Sequence, residues 1–269
     1  MKSLFSFDYY YVLPLFFIIF GCAFGNRLEE KFEQSYPLER NGSLSLTNLN
    51  GSITITSHAQ AEVKIMATKT VRAASHQEAE RLMEQLKIEI TRGPDFIEIE
   101  TEYPRQRRSH SSFWNLFTSN RPGQFSVSYE IVVPEQVKLN LRTTNGHVHV
   151  ENVSGELIVR TTNGGLKLID VDGSISAKTT NGSIESTISK FDAANELDLV
   201  TTNGKIKIEL PDAVDATVYA RTTNGRISTD FPLQTTGHYS SRRIEGTIGA
   251  GNGKIELRTT NGSISIQKR

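Results

Sequence analysis

Arg142-Thr143-Thr144-Asn145-Gly146 and Arg160-Thr161-Thr162-Asn163-Gly164 decide how the chain is read. The tetrapeptide Thr-Thr-Asn-Gly occurs six times, with its asparagines at Asn145, Asn163, Asn181, Asn203, Asn224 and Asn261. The first two intervals are 18 residues each, and the later ones lengthen to 22, 21 and 37. A recurring period of this kind marks a repeat architecture, in which a unit buries its apolar face only against its neighbours.

Each period divides into two strands. One runs into the tetrapeptide, as in Lys138-Leu139-Asn140-Leu141-Arg142, and one follows it, as in His147-Val148-His149-Val150. Alternation places Leu139, Leu141, Thr143 and Asn145 on one face and Asn140, Arg142 and Thr144 on the other. The first threonine and the asparagine are therefore expected to point inward with the aliphatics. Gly146, Gly164, Gly182, Gly204, Gly225 and Gly262 are expected to relieve a positive φ at the corner.

Asn-Gly between alternating runs is also a hairpin signal, so an antiparallel meander competes with a parallel solenoid. In a meander successive corners lie two strands apart, roughly 9–10 Å, and nothing requires them to match. In a solenoid they stack at about 4.8 Å, where identical threonines and asparagines satisfy one another in ladders. Near-identity of the corners selects the solenoid. The fold class expected is all-β, a parallel β-solenoid (β-helix-like) with coils of about 18 residues.

The rest of the chain is read outward from the repeat. Residues 1–25 form an expected signal peptide, with Met1-Lys2 followed by an apolar run over 9–20 that is too short to span a hydrocarbon layer of about 30 Å. Ile19-Phe20-Gly21-Cys22 resembles a lipobox, and Ala23-Phe24-Gly25 offers ordinary signal cleavage, so Cys22 is the lipidation candidate through which the chain would be anchored to a membrane. Cys22 is the only cysteine, which excludes an internal disulfide and a cysteine-based zinc site.

Residues 26–39 are polar and acidic, with Glu29, Glu30 and Glu33, and are expected to be a flexible lead-in. One solenoid domain is expected over 40–269, and a weaker form of the repeat grammar opens it at Asn41-Gly42 and Asn50-Gly51. Two segments interrupt it. Ser75 and Glu78 form a capping box ahead of Ala79, Leu82, Met83 and Leu86, which predicts an amphipathic helix over 75–87 covering an end or edge of the β body. Residues 103–123 read as an irregular loop in which Phe113, Trp114 and Phe117 stand among arginines with no acidic residue after Pro104. Those aromatics either fold back onto the body or form an exposed patch for a partner, membrane headgroups or a polyanion.

The extra residues of the longer periods fall at 190–195, 211–215 and 232–252, always between the second strand of one coil and the first of the next. They are expected to line a single rim with Phe191, Asp212, Tyr239, Arg242 and Arg243. On the outward face, Arg142, Arg160, Lys178, Arg221 and Arg258 form a basic stripe broken by Val200. It reads either as a binding surface for acidic polysaccharide or as a solvated face whose charges discourage sheet aggregation.

Thirty basic and thirty acidic residues cancel, so nothing draws the whole chain toward nucleic acid. His147 and His149 share a face but lack a third ligand in sequence, no cofactor motif occurs, and Glu185, Asp198 and Asp230 form no recurring carboxylate pair of the kind a glycan-cleaving enzyme needs. No metal site, cofactor or catalytic residue is expected. Asn-x-Ser sequences at Asn41, Asn152, Asn181 and Asn261 coincide largely with turns.

The repeated tetrapeptide, the strand Tyr129-Glu130-Ile131-Val132-Val133-Pro134 that leads into it, and the closing Ile255-Glu256-Leu257-Arg258-Thr259-Thr260-Asn261-Gly262-Ser263-Ile264-Ser265-Ile266 resemble the bacterial putative-adhesin family of β-strand-repeat envelope proteins, a domain of unknown function. The resemblance covers roughly residues 40–266. It implies an exported protein of the periplasm, outer membrane or cell surface, with a β-solenoid body and no catalytic residues. Surface polysaccharide or an envelope protein is the partner expected, a ligand-free envelope scaffold the alternative, and a polysaccharide-active β-helix enzyme the third reading.

Overall fold

The computed structural model describes residues 27–104 and 124–269, without the side chains of 235–239. The strands and the helix are, in order, β1 (Arg27–Pro37), β2 (Ser43–Thr47), β3 (Ile53–His58), β4 (Glu62–Arg72), α1 (His76–Gln85), β5 (Lys87–Arg92), β6 (Phe96–Glu102), β7 (Gln124–Pro134), β8 (Lys138–Arg142), β9 (Val148–Glu151), β10 (Leu157–Arg160) and β11 (Leu166–Asp172). They continue with β12 (Ile175–Asn181), β13 (Ile184–Lys190), β14 (Glu196–Asn203), β15 (Ile206–Leu210), β16 (Ala216–Asn224), β17 (Ile227–Thr229), β18 (Gln234–Ser240), β19 (Arg243–Ile248), β20 (Gly253–Asn261) and β21 (Ile264–Lys268).

Among the described residues these strands form two long sheets around one core. Sheet A runs β1-β4-β7-β3-β9-β11-β13-β15-β21-β17, and sheet B runs β18-β19-β16-β20-β14-β12-β10-β8-β2-β6-β5. Pairing is parallel through the middle of both sheets and antiparallel at both ends of sheet B and at the β1 end of sheet A, whereas β17 closes the other end of sheet A in parallel with β21. Each chain passage crosses from sheet B to sheet A at the Asn-Gly corner, which is the solenoid alternative and not the meander. Leu139 and Leu141 of β8 face inward, as do Val148 and Val150 of β9, and so do their buried counterparts down the stack, such as Leu157 and Val159 of β10 and Leu166 and Leu168 of β11.

The four residues of the corner have four separate tasks. The first threonine is buried and donates its Oγ1 to the corner glycine carbonyl of the adjacent coil: Thr161 to Gly146 (3.1 Å), Thr179 to Gly164 (2.9 Å), Thr201 to Gly182 (2.8 Å), Thr259 to Gly204 (2.9 Å) and Thr222 to Gly262 (2.8 Å). Thr143 Oγ1 has no such partner among the described residues. The second threonine faces outward. The asparagines do not enter the core as alternation suggested, because the strand ends at that position and the chain turns. They are exposed at the corner and bonded in a ladder, each Nδ2 donating to the Oδ1 of the next coil at 2.7–2.8 Å in the order Asn224, Asn261, Asn203, Asn181, Asn163, Asn145, Asn50.

Glycine is required for a reason other than the one expected. The six corner glycines do not have positive φ; that conformation occurs at Gly51, Gly155 and Gly173, and at Gly249 and Gly251 beyond β19. What excludes a side chain is proximity. A Cβ on Gly164, Gly182 or Gly204 would lie 2.0 Å from the carbonyl oxygen of the glycine stacked beneath it. Asn41-Gly42 belongs to the opposite corner of the coil, since Asn41 accompanies Gln136 and, through it, Ser154 and Asp172.

The lead-in and the rim are corrected by the structure. Residues 27–37, expected to be a flexible lead-in, form β1, which pairs along its whole length with β4. Leu28, Phe32 and Tyr36 alternate onto the core, and Glu30 between them is held by Lys69 at 2.8 Å. The last coil in sequence is not the last in space: β20 lies between β14 and β16, and β21 between β15 and β17. The stretch 232–252 is therefore no rim loop. It supplies β18 and β19, which extend sheet B beyond β16 and leave room for the chain to return inside. Phe191, placed on the rim by its spacing, is 8% exposed and belongs to the core.

Helix α1 starts at Ser75, whose hydroxyl accepts the Glu78 amide at 3.2 Å, and buries Ala79 and Met83 against β1 and β4 at one end of the body. Residues 105–123, including Phe113, Trp114 and Phe117, and Cys22 lie outside the described residues.

Gly182→Ala should cost about 3 kcal/mol or more, because the atom met is backbone and cannot rotate away. Asn181→Ala removes two exposed ladder bonds and should cost about 1 kcal/mol. Urea denaturation of the two variants checks the order; equal costs would contradict the close-approach account.

Candidate functional site

The outward row of sheet B gathers the cations that the sequence distributed over two motifs. In spatial order it reads Arg142, Arg160, Lys178, Val200, Arg258, Arg221, Arg243. Arg258 precedes Arg221 because β20 is inserted ahead of β16. Arg243 joins the row from the hairpin of β18 and β19, and Arg242 stands in the turn just before it. The structure thus brings together two sets of residues read separately, the stripe and the inserted rim.

Acids two positions along the strands divide this row. Asp198 binds Lys178 at 2.7 Å and Arg258 at 3.4 Å, filling the gap left by Val200. Glu256 also holds Arg258, at 2.9 Å, and Glu245 holds Arg243, whose guanidinium lies 5.7 Å from the Tyr219 ring centre. These pairs are partly exposed, so they hold geometry and cancel local charge more than they stabilise. Arg160, Arg221 and the Arg242 side chain have no acidic partner among the described residues, and Arg142 meets only Asn140, at 3.4 Å.

At the end of the row Arg221, Thr222, Thr223, Arg242 and Arg243 line a shallow depression. Its backbone is fixed where it matters: the Thr222 amide donates to the Arg242 carbonyl at 3.0 Å, and the Ile227 amide to Ser241 at 2.9 Å. Three guanidinium groups with two charges unopposed beside an exposed threonine hydroxyl suit a planar or tetrahedral oxyanion, since arginine offers paired N–H donors in one plane. The row along β8 and β10 extends the same sign of charge down the sheet.

The other residues singled out in the sequence are placed apart. His147 Nδ1 accepts the Gly165 amide at 2.9 Å, and His149 Nε2 lies 3.4 Å from Glu151. No group of three or more His, Cys, Asp or Glu side chains that could hold a metal ion occurs among the described residues. Asp212 is exposed, 3.9 Å from Lys268. The side chain of Tyr239 is not among those described. At the opposite end of the body a cavity of about 850 Å³ is bordered by Arg27, Leu49, Arg72, Tyr103 and Phe125. Tyr103 closes the asparagine ladder there, donating its hydroxyl to Asn48 Oδ1 at 2.7 Å and accepting the Asn50 amide at 3.0 Å. Sequence reading found the weaker Asn50-Gly51 corner but gave no hint of this closure, because Asn48 replaces the buried threonine and its partner Tyr103 lies 53 residues beyond Asn50.

The model of the Toastrack DUF4097 family matches residues 85–267. The chain belongs to the Toastrack family. No curated protein matches this Toastrack chain. Among solved structures it is similar to a "putative cell adhesion protein" from Clostridium sporogenes, at 11% identity and a TM-score of 0.48, covering 89% of this chain and all of the other. It is also similar to a "putative adhesin" from Bacteroides fragilis, at 10% identity and a TM-score of 0.36 over 89% and 97% of the two chains. A "putative lipid binding protein" from Parabacteroides distasonis matches at 10% identity and a TM-score of 0.24, over 89% and 96%.

The Toastrack hairpin that carries Arg242 and Arg243 is tied down at its far end by Asp215. Its carboxylate accepts the amides of Gly251 and Asn252, the latter at 3.2 Å, and the Asn252 side chain at 2.8 Å. These bonds, led by the Asn252 amide, hold the Asp215 carboxyl below its usual range against an opposing desolvation. A lowered folded value means that the anchor is intact above the unfolded value of about 3.9 and is lost as pH falls through the folded one. Amide-exchange protection at Gly251 and Asn252 should fall on acidification through that window. Asp215→Asn should show the same loss at neutral pH; a variant with unchanged protection would remove Asp215 from this role.

Proposed function

We propose that the chain is a non-enzymatic binding module of the cell envelope or surface, and that it engages acidic glycans through the arginine end of sheet B. The observation that carries this reading is the convergence of Arg221 of β16 with Arg242 and Arg243 of the β18–β19 hairpin on one depression where Arg221 and Arg242 have no acidic partner among the described residues. The stacked coils supply a rigid, flat support, so little conformational entropy is lost when an extended polymer lies along the row. Arg160 and Arg142 lie further down the same face, in line with the repeating charges of a polyanion. An export signal ending near Cys22, with lipid attachment there, accords with such a location and gives the module a tether.

Immobilised dextran sulfate, with neutral dextran as control, tests the reading. The wild-type chain should bind the sulfated polymer in a salt-dependent manner, and the pair Arg221→Glu with Arg242→Glu should weaken binding by roughly tenfold or more. Loss of the difference between charged and neutral polymer in the wild type would leave the stack as an envelope scaffold without this ligand. Release of shortened sugar products would instead indicate an enzyme.

A further inference from the structure

The corner that builds the stack also carries a chemical hazard. Asn-Gly is the dipeptide most prone to intramolecular deamidation, because glycine has no side chain to obstruct attack of its own amide nitrogen on the asparagine carboxamide. The chain contains nine Asn-Gly dipeptides, with glycines at 42, 51, 146, 164, 182, 204, 225, 253 and 262. The fold treats eight of them alike and one differently.

In eight, the glycine N–H is donated to a carbonyl. Gly42 donates to Glu39 (3.0 Å), Gly51 to Asn145 (2.9 Å), Gly146 to Asn163 (3.0 Å), Gly164 to Asn181 (3.0 Å), Gly182 to Asn203 (3.1 Å), Gly204 to Asn261 (3.1 Å), Gly253 to Asp215 (3.0 Å) and Gly262 to Asn224 (3.1 Å). Hydroxide can remove such a proton only when the bond opens, as in amide exchange. Gly225 alone has no acceptor for its N–H among the described residues, because the coil of β16 and β17 is the last in the stack and no further corner lies beyond it. It is also the one glycine of the nine that is exposed; the others are half-buried or buried.

The asparagine side chains repeat the contrast. Asn261, Asn203, Asn181, Asn163 and Asn145 are held on both sides, each donating from Nδ2 and accepting at Oδ1. Asn50, at the other end, accepts at Oδ1 from Asn145, and its backbone N–H and carbonyl are both engaged by the Tyr103 hydroxyl. The Asn224 carboxamide is held by one bond, from its Nδ2 to Asn261 Oδ1 at 2.8 Å, and its own Oδ1 accepts nothing among the described residues.

We propose that Asn224-Gly225 is the site of self-modification in this protein. The Gly225 nitrogen, once deprotonated, forms a bond to Asn224 Cγ; the Cγ–Nδ2 bond breaks, and the side-chain nitrogen leaves as ammonia. Water then opens the resulting cyclic imide at either carbonyl, giving aspartate or isoaspartate at 224. No oxidant or other reactant is needed. The product exchanges the last donor of the ladder for a carboxylate, so the bond to Asn261 Oδ1 is lost and the terminal coil loosens. It also places a negative charge three residues along β16 from Arg221, about 10 Å away, on the strand that forms the arginine depression. The modification rests on the stacking alone and stands whether or not that depression binds a glycan.

The test uses the full chain aged in mildly alkaline buffer at physiological temperature, with peptide mass spectrometry and isoaspartate detection at each of the nine sites. In the folded protein Asn224 should convert roughly tenfold or more faster than any of the other eight. In urea the nine should convert at similar rates. The proposal is overturned if another Asn-Gly converts first, if Asn224 keeps pace with the rest, or if it leads by the same margin in urea, since the fold would then not be the cause. Asn224→Gln should abolish the fast phase and leave the other eight rates unchanged, whereas a persisting fast phase would place it elsewhere.

Discussion

The structure depends on how closely one glycine can approach another. At each corner the chain leaves sheet B and enters sheet A, and the next coil must follow the same path one strand spacing away. The carbonyl of each corner glycine occupies the position that a Cβ on the next one would need, at 1.9–2.0 Å. Every coil therefore imposes glycine on its neighbour. Once the corners are in register, the buried threonine hydroxyl, the exposed amide ladder and the inter-coil amide bonds of the glycines all form at regular intervals.

This constraint explains how the stack tolerates an unusual chain path. The spatial neighbour of the corner at Asn203 is the one at Asn261, 58 residues later, and the corner at Asn224 sits outside both. Because the corners are interchangeable, a coil can be inserted out of sequence order without altering any contact at the corner. The long interval before Asn261 is used to build β18 and β19, which cover the outer edge of β16 with an antiparallel pair. At the other end β1, β4, β5 and α1 close the body in a similar way. Ends of this kind blunt the open edges that a parallel stack otherwise presents to other chains.

Regularity and function are separated within the same strands. Inward positions repeat because the core requires it, and the corner repeats because the stacking requires it. The outward positions are free to vary, and there the acids Asp198, Glu256 and Glu245 pair with some cations and leave Arg160, Arg221 and Arg242 without acidic partners among the described residues. The stack has two unlike ends at the ladder as well, one sealed by Tyr103 and one open at Gly225.

The sequence by itself determined the two-strand coil, the choice of a stacked over a hairpin arrangement, the buried first threonine and the capped helix. Each of these follows from period, alternation or local capping, which are properties of neighbouring residues. β1 was missed because Glu30 and Gln34 interrupt the apolar face of Leu28, Phe32 and Tyr36, and only the pairing with β4 and the contact with Lys69 make that face a strand. The role of the corner glycines was misassigned because positive φ is a local property and close approach is not. The order of the last coils, the meeting of Arg221 with Arg242 and Arg243, and the exposure of Gly225 were decided by tertiary structure alone. Identical corners carry no information about which of them will be neighbours, and that choice fell to the packing of β18 and β19 against β16.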